Sequence, residues 1–196
     1  MEDEKMSINL GKGERINLSK EAAGLKKVGV GLGWDTNTTD TGADFDLDAS
    51  VFMLGANGKV KNEQYFVFYN NLNSPDGAVK HTGDNLTGDG DGDDETLLID
   101  LSKVDSGVQD MVFVVTIHEA ESRKQNFGQV RNAFIRLYDQ ESGKEVAKYE
   151  LDEDFSRETA LEFGRLYKKD SEWRFQAVGQ GFNTGLQGFV DKYYQG

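Results

Sequence analysis

The chain has 196 residues, 22 Lys and Arg against 35 Asp and Glu for a net charge of −13, and no cysteine. That length is ample for a packed core, and a balance this acidic speaks against a nucleic-acid backbone or an anionic membrane surface as the main partner. The missing thiols exclude disulfides, thiolate zinc sites, iron–sulfur clusters and cysteine nucleophiles together.

Residues 1–6 read as a flexible N-terminal extension and 7–196 as one domain. The opening stretch MEDEKMSINL is acidic where a signal peptide is basic and then apolar, and no apolar run approaches a membrane span. The expectation is a cytoplasmic protein without direct membrane insertion. In chain order, strands are expected at Ser7–Leu10, Arg15–Leu18, Val28–Gly33, Asp46–Leu54, Tyr65–Tyr69, Leu97–Leu101, Val112–Glu119, Arg131–Tyr138, Glu145–Glu150 and Trp173–Val178. Leu97, Ile99 and Leu101 share one face of their strand, whereas Val112–Ile117 is apolar on both faces and reads as central. Asn57-Gly58 and Ser142-Gly143 have the composition of hairpin turns. Two helices are predicted. One starts at Ser156, with Ala160, Leu161, Phe163, Leu166 and Tyr167 at helical spacing, and a weaker one runs from Leu186 to Tyr194 at the sheet edge. Together these elements predict an all-β, two-sheet β-sandwich with one or two short peripheral helices.

Acidity is concentrated in two windows. No Lys or Arg lies between Lys27 and Lys59, a gap that holds Asp35, Asp40, Asp44, Asp46 and Asp48. None lies between Lys80 and Lys103, where Asp84, Asp89, Asp91, Asp93, Asp94, Glu95 and Asp100 occur. In the first window, strict alternation puts Asp44, Asp46 and Asp48 on one side of an extended segment and turns Phe45, Leu47 and Ala49 to the core. Carboxylates about 5 Å apart repel by roughly 3 kcal/mol at an effective dielectric near 20, a term whose sign a hard divalent cation reverses. In the second window, Gly83, Gly88, Gly90 and Gly92 make the backbone pliable around many oxygens. All-oxygen ligation on such a loop favours calcium over magnesium, which wants stricter geometry. The loop is not an EF-hand. Counting from Asp89, position 6 is Asp94 rather than Gly, and position 12 is Asp100 within a strand-like run.

At these residues the sequence resembles the TerD (tellurium-resistance) family. The resemblance is carried by Gly31-Leu32-Gly33-Trp34-Asp35, Asp44 through Ser50, Tyr69-Asn70-Asn71, Ser74 through Val79, Gly83 through Gly88 and Gly92 through Glu95. It continues in Lys124 through Gly128 and Glu172 through Gly181, so that it spans nearly the whole chain from Ser7. It implies a β-sandwich binding two adjacent calcium ions in its loops, in a cytoplasmic bacterial stress protein tied to tellurite resistance. It also implies docking to other Ter-type proteins and to a TerC-type integral membrane protein, with recruitment to the inner face of the membrane. Carried over position by position, it implies metal ligands at Asp35, Asp44, Asp46, Asp48, Asn71, Asp84, Asn85, Asp91, Asp93, Asp94 and Glu95. No catalytic residue or organic cofactor is expected.

Asp76, between Pro75 and Gly77, reads as part of a β-turn. His118-Glu119 reads as structural, because no Ser or Cys motif lies near it. Trp34 beside Asp35 is placed to line the site. The alternative function is a metal-dependent protein that binds or hydrolyses a phosphate ester or nucleotide. Such a site usually adds a basic group beside the phosphate, and both windows lack Lys and Arg.

Overall fold

The computed structural model describes residues 7–22, 24–35, 46–82, 94–130, 132–151, 157–183 and 185–194. In chain order its elements are β1 (Ile8–Leu10), β2 (Arg15–Asn17), α1 (Leu18–Glu21), β3 (Lys27–Gly33), β4 (Leu47–Leu54), β5 (Phe66–Val67), β6 (Val79–His81), β7 (Glu95–Asp100), β8 (Asp110–Ile117), α2 (Ala120–Arg123), β9 (Phe134–Asp139), β10 (Glu145–Glu150), β11 (Ala160–Lys169), β12 (Glu172–Phe182) and α3 (Leu186–Tyr193). They form two six-stranded sheets, β1-β10-β9-β3-β7-β6 and β2-β12-β11-β8-β4-β5. Pairing is antiparallel except between β1 and β10. The predicted two-sheet β-sandwich is the architecture found. No helix among the described residues is long and apolar enough to cross a membrane.

Alternation supplies the core. In β4, Leu47, Ala49, Val51 and Met53 point one way and are buried, as are Leu97 and Ile99 of β7 and Ile135 and Leu137 of β9. The opposite face of β4 is also covered. Phe52 stacks on Phe66 of β5 at 4.3 Å between centroids and lies 5.1 Å from Tyr193 of α3, so the C-terminal helix packs on the outside of the second sheet. Gly29 in β3 leaves room for the ring of Tyr138 directly opposite, which an added Cβ would meet at 2.0 Å.

The helix predicted from Ser156 is instead strand β11, the partner of β12 and β8. The reason is a β-bulge between Glu162 and Gly164. It shifts the register so that Leu161, Phe163 and Leu166 all face the core, fully buried, at spacings of two and then three. That spacing imitates one helical turn. The predicted start at Ser156 lies outside the described residues. The predicted strand at Tyr65–Tyr69 shrinks to Phe66–Val67, because Glu63–Tyr65 forms a 3-10 turn and the chain reverses at Phe68–Asn71. Strand β6 was not anticipated. Val79–His81 is too short to show a period, and it gains its place by pairing with β7. Both hairpin turns are present, with Gly58 at φ +74° and Gly143 at φ +76°, where glycine alone adds no Cβ strain.

Candidate metal centre

The site grows from the register of β4 on β8. Leu47 lies opposite Ile117 and Asp48 opposite Thr116. The ladder runs one step further, since the His118 N–H donates to the Asp46 carbonyl at 2.8 Å. Asp46 and His118 are therefore across from each other, and Asp48, two residues from Asp46, shares their face. The result is a group in which one ligand atom each from Asp46, Asp48 and His118 lies within 4.8 Å of the others. Asp46 is 6% and Asp48 4% exposed, while the His118 side chain is 41% exposed, so the group is buried on its carboxylate side and open on its imidazole side. Asp46 Oδ1 and Asp48 Oδ1 are buried atoms that accept no hydrogen bond, although both residues make other interactions.

Two carboxylates this close and this dry repel by roughly 3 kcal/mol at an effective dielectric near 20. A divalent cation between them converts that cost into attraction. Two carboxylates and an imidazole form a donor set that fits such a cation. Oxygens alone satisfy calcium, while a neutral imidazole nitrogen also suits manganese or zinc.

The other expected ligands among the described residues are tied to the frame. Glu95, 2% exposed, accepts the Ala49 N–H through Oε2 at 2.7 Å, and the same oxygen lies 3.8 Å from His81 Nε2. Ala49 sits beyond the end of the short β5 pairing, so Glu95 satisfies a main-chain donor at an open edge of β4. Asp94 donates its N–H to the Leu32 carbonyl at 2.8 Å and accepts the Trp34 N–H through Oδ2 at 2.9 Å, which locks the end of β3 to the start of β7. Asp35 is exposed and accepts from Asn132 Nδ2 at 2.6 Å. Asn71 donates Nδ2 to the carbonyls of Gln64 and Phe66, closing its own loop. Asp44, Asp84, Asn85, Asp91 and Asp93 lie outside the described residues. Trp34 is buried beside Asp94, which holds its N–H.

The sequence around His118 reads as structural, yet the fold carries the residue to Asp46 and Asp48. The signal was the pairing of two apolar strands, because aligning Leu47–Leu54 against Asp110–Ile117 brings position 118 opposite position 46. Asp76 is a turn residue, as read. Its Oδ1 accepts from Ser74 Oγ at 2.6 Å and Ala78 N at 3.0 Å, and its Oδ2 accepts from Asp105 N at 2.9 Å.

The TerD domain family model matches residues 6–193. The tellurium resistance protein TerD of Serratia marcescens is 56% identical over 188 residues, covering 96% of this chain and 97% of its own. General stress protein 16U of Bacillus subtilis (strain 168) is 51% identical over 188 residues, covering 96% and 97%. Among solved structures, the unknown function protein SAV2460 superposes with a TM-score of 0.72 at 26% identity, over 88% of this chain and 99% of that one. A homologue of telluride resistance protein (TerD) from Streptomyces coelicolor A3(2) does so at 0.71 and 23% identity, over 85% and 96%, a likeness of fold.

Proposed function

The chain belongs to the TerD family of tellurium-resistance and stress-response proteins, and on that footing we propose that it acts as a calcium-binding, non-enzymatic module. The single observation that supports this reading is the convergence of buried Asp46 and Asp48 with His118 at the loop end of the second sheet. In this reading the Asp46 and Asp48 carboxylates hold part of a calcium shell, and His118 stands at its open side. Asp35, Asp94 and Glu95 shape its wall, and Asp44, Asn71, Asp84, Asn85, Asp91 and Asp93 complete a pair of adjacent sites. A bound cation supplies the positive charge that lets these carboxylates remain close together. The residues do the rest. Glu95 pins β4 through Ala49, and Asp94 pins Trp34, so the strand ends that carry Asp48 and Trp34 are held in place.

The loaded module then docks to other Ter-type proteins and to a TerC-type membrane protein, from the cytoplasm, at the inner face of the membrane. Melting curves of the chelator-treated and calcium-loaded chain test the reading. A rise of several degrees with calcium supports it, and superimposable curves contradict it.

His118 is the observation that favours a second reading, because two carboxylates and an imidazole also occur in metal-dependent phosphoesterases. Turnover of a generic phosphodiester with manganese, magnesium or calcium, lost in Asp48→Asn, would support that alternative.

A further inference from the structure

Away from the acidic end, the second sheet gathers charges of the opposite sign. The β2–β12–β11 register places Arg15 opposite Gln176 and Gln176 opposite Arg165. One row along, Asn17 is opposite Arg174 and Arg174 opposite Tyr167. Residues directly opposite share a face, and Arg165 and Tyr167, two apart, share it as well. Three arginines from three adjacent strands thus surround one tyrosine. The Arg165 guanidinium carbon lies 4.3 Å and that of Arg15 6.0 Å from the Tyr167 ring centroid, and the ring itself is buried.

Such grouping is unexpected in a chain with a net charge of −13. Among the described residues, Asp110 stands opposite Tyr167 on β8 and is the carboxylate paired with Arg165. Asp110 Oδ1 lies 3.7 Å from Arg165 Nε, beyond hydrogen-bonding distance, and Glu172 Oε2 accepts from Asn17. Arg165 Nε and Arg174 Nε are both buried, and neither makes a hydrogen bond. Buried charged donors without an acceptor are costly and uncommon. Guanidinium forks match the planar, multiply charged oxygens of a phosphate group.

We propose that the Arg15, Arg165 and Arg174 face is a binding site for a small, soluble phosphate-type oxyanion, either inorganic phosphate or a phosphate monoester. The part-exposed side chains of Arg165 and Arg174 turn the ends of their guanidinium groups to the anion, and the exposed Arg15 supplies the third cation. An anionic bilayer is disfavoured as the source, because the rest of this acidic chain repels it. Asp110 and Thr116 lie six residues apart on β8, which puts the face about 20 Å from the Asp46–Asp48 group at about 3.4 Å per residue. The site therefore stands or falls independently of calcium.

The test is a titration of the full chain with inorganic phosphate, then with glycerol 3-phosphate, in chelator and at constant ionic strength balanced with chloride. The readout is the 1H–15N signals of the arginine Nε–H groups. Saturable shifts of Arg165 and Arg174 are expected, with affinity weakened roughly tenfold in Arg174→Gln and several-fold in Arg15→Gln. Arg15 is exposed, so its variant keeps the test valid if Arg174→Gln does not fold. Absence of saturation, equal shifts with chloride alone, shifts centred on Asp48 and His118, or unchanged affinity in Arg15→Gln would overturn the proposal. So would binding seen with phosphatidic acid vesicles and not with the soluble anions.

Discussion

Tyr193, on α3, donates its hydroxyl proton to Glu162 on β11, and this contact clamps the C-terminal helix onto the outer face of the second sheet. Both residues are buried, and Lys192 Nζ approaches the same carboxyl oxygen at 3.6 Å. The Tyr193 carbonyl also accepts the Val60 N–H at 2.9 Å, so the helix end is tied to the chain following β4 as well.

Replacing Tyr193 by Phe keeps the ring against Phe52 and removes the donor. Glu162 is then left with the longer Lys192 contact, and the expected loss is about 1–3 kcal/mol in urea denaturation at pH 7. The pH dependence follows from the direction of the Tyr193 shift. Burial first, and Glu162 second, raise its pKa far above the ordinary tyrosine value. A group whose folded pKa is raised contributes stability below its unfolded pKa, near 10, and loses it as pH climbs through the folded value. Wild-type stability should therefore fall from about pH 10 upward, and Tyr193→Phe should fall less steeply.

Asp48→Asn has opposite effects in two buffers. In chelator it removes one of two close carboxylates and is expected to stabilise the chain by about 1–3 kcal/mol, by relief of repulsion. In saturating calcium it is expected to be the less stable protein, because the wild type gains binding free energy that the variant lacks. Paired melts in the two buffers check the crossover, and a variant that is less stable in both would argue for a purely structural aspartate.

Glu95→Ala strands the buried Ala49 N–H and is expected to cost about 1–3 kcal/mol even in chelator. Glu95→Gln keeps an acceptor oxygen and should cost less. Chelator melts of both variants separate this main-chain role from any part in holding an ion.

Gly164→Ala places a Cβ 2.4 Å from the Phe175 ring and 3.0 Å from the Gln176 carbonyl oxygen, at the bulge of β11. Phe175 is buried and has no room to yield, so a loss of about 1–3 kcal/mol is expected from overpacking, as read by urea denaturation.

Much of this architecture was legible in the sequence because period-two patterning is local. Leu47–Ala49 and Glu145–Glu150 announce themselves by alternation, and Val112–Ile117 by an unbroken apolar run. The segment after Ser156 misled because a bulge changes the period from two to three, which a single strand cannot reveal without its partner. For the site, alternation put Asp46 and Asp48 on one face, as the structure has them. It did not foretell that the two are buried, since burial comes from elements far away in the chain. His118 and the Glu95–Ala49 bond were invisible for the same reason. One depends on how β8 registers with β4, the other on where β5 stops.

The most direct measurement is calorimetric titration of the chelator-treated full chain with calcium, alongside Asp48→Asn. Saturable binding of two ions per chain, weakened at least tenfold in the variant, is the predicted result. No saturable calcium binding by the wild type, or an unchanged isotherm in Asp48→Asn, would contradict the assignment of Asp46, Asp48 and His118 as a cation site.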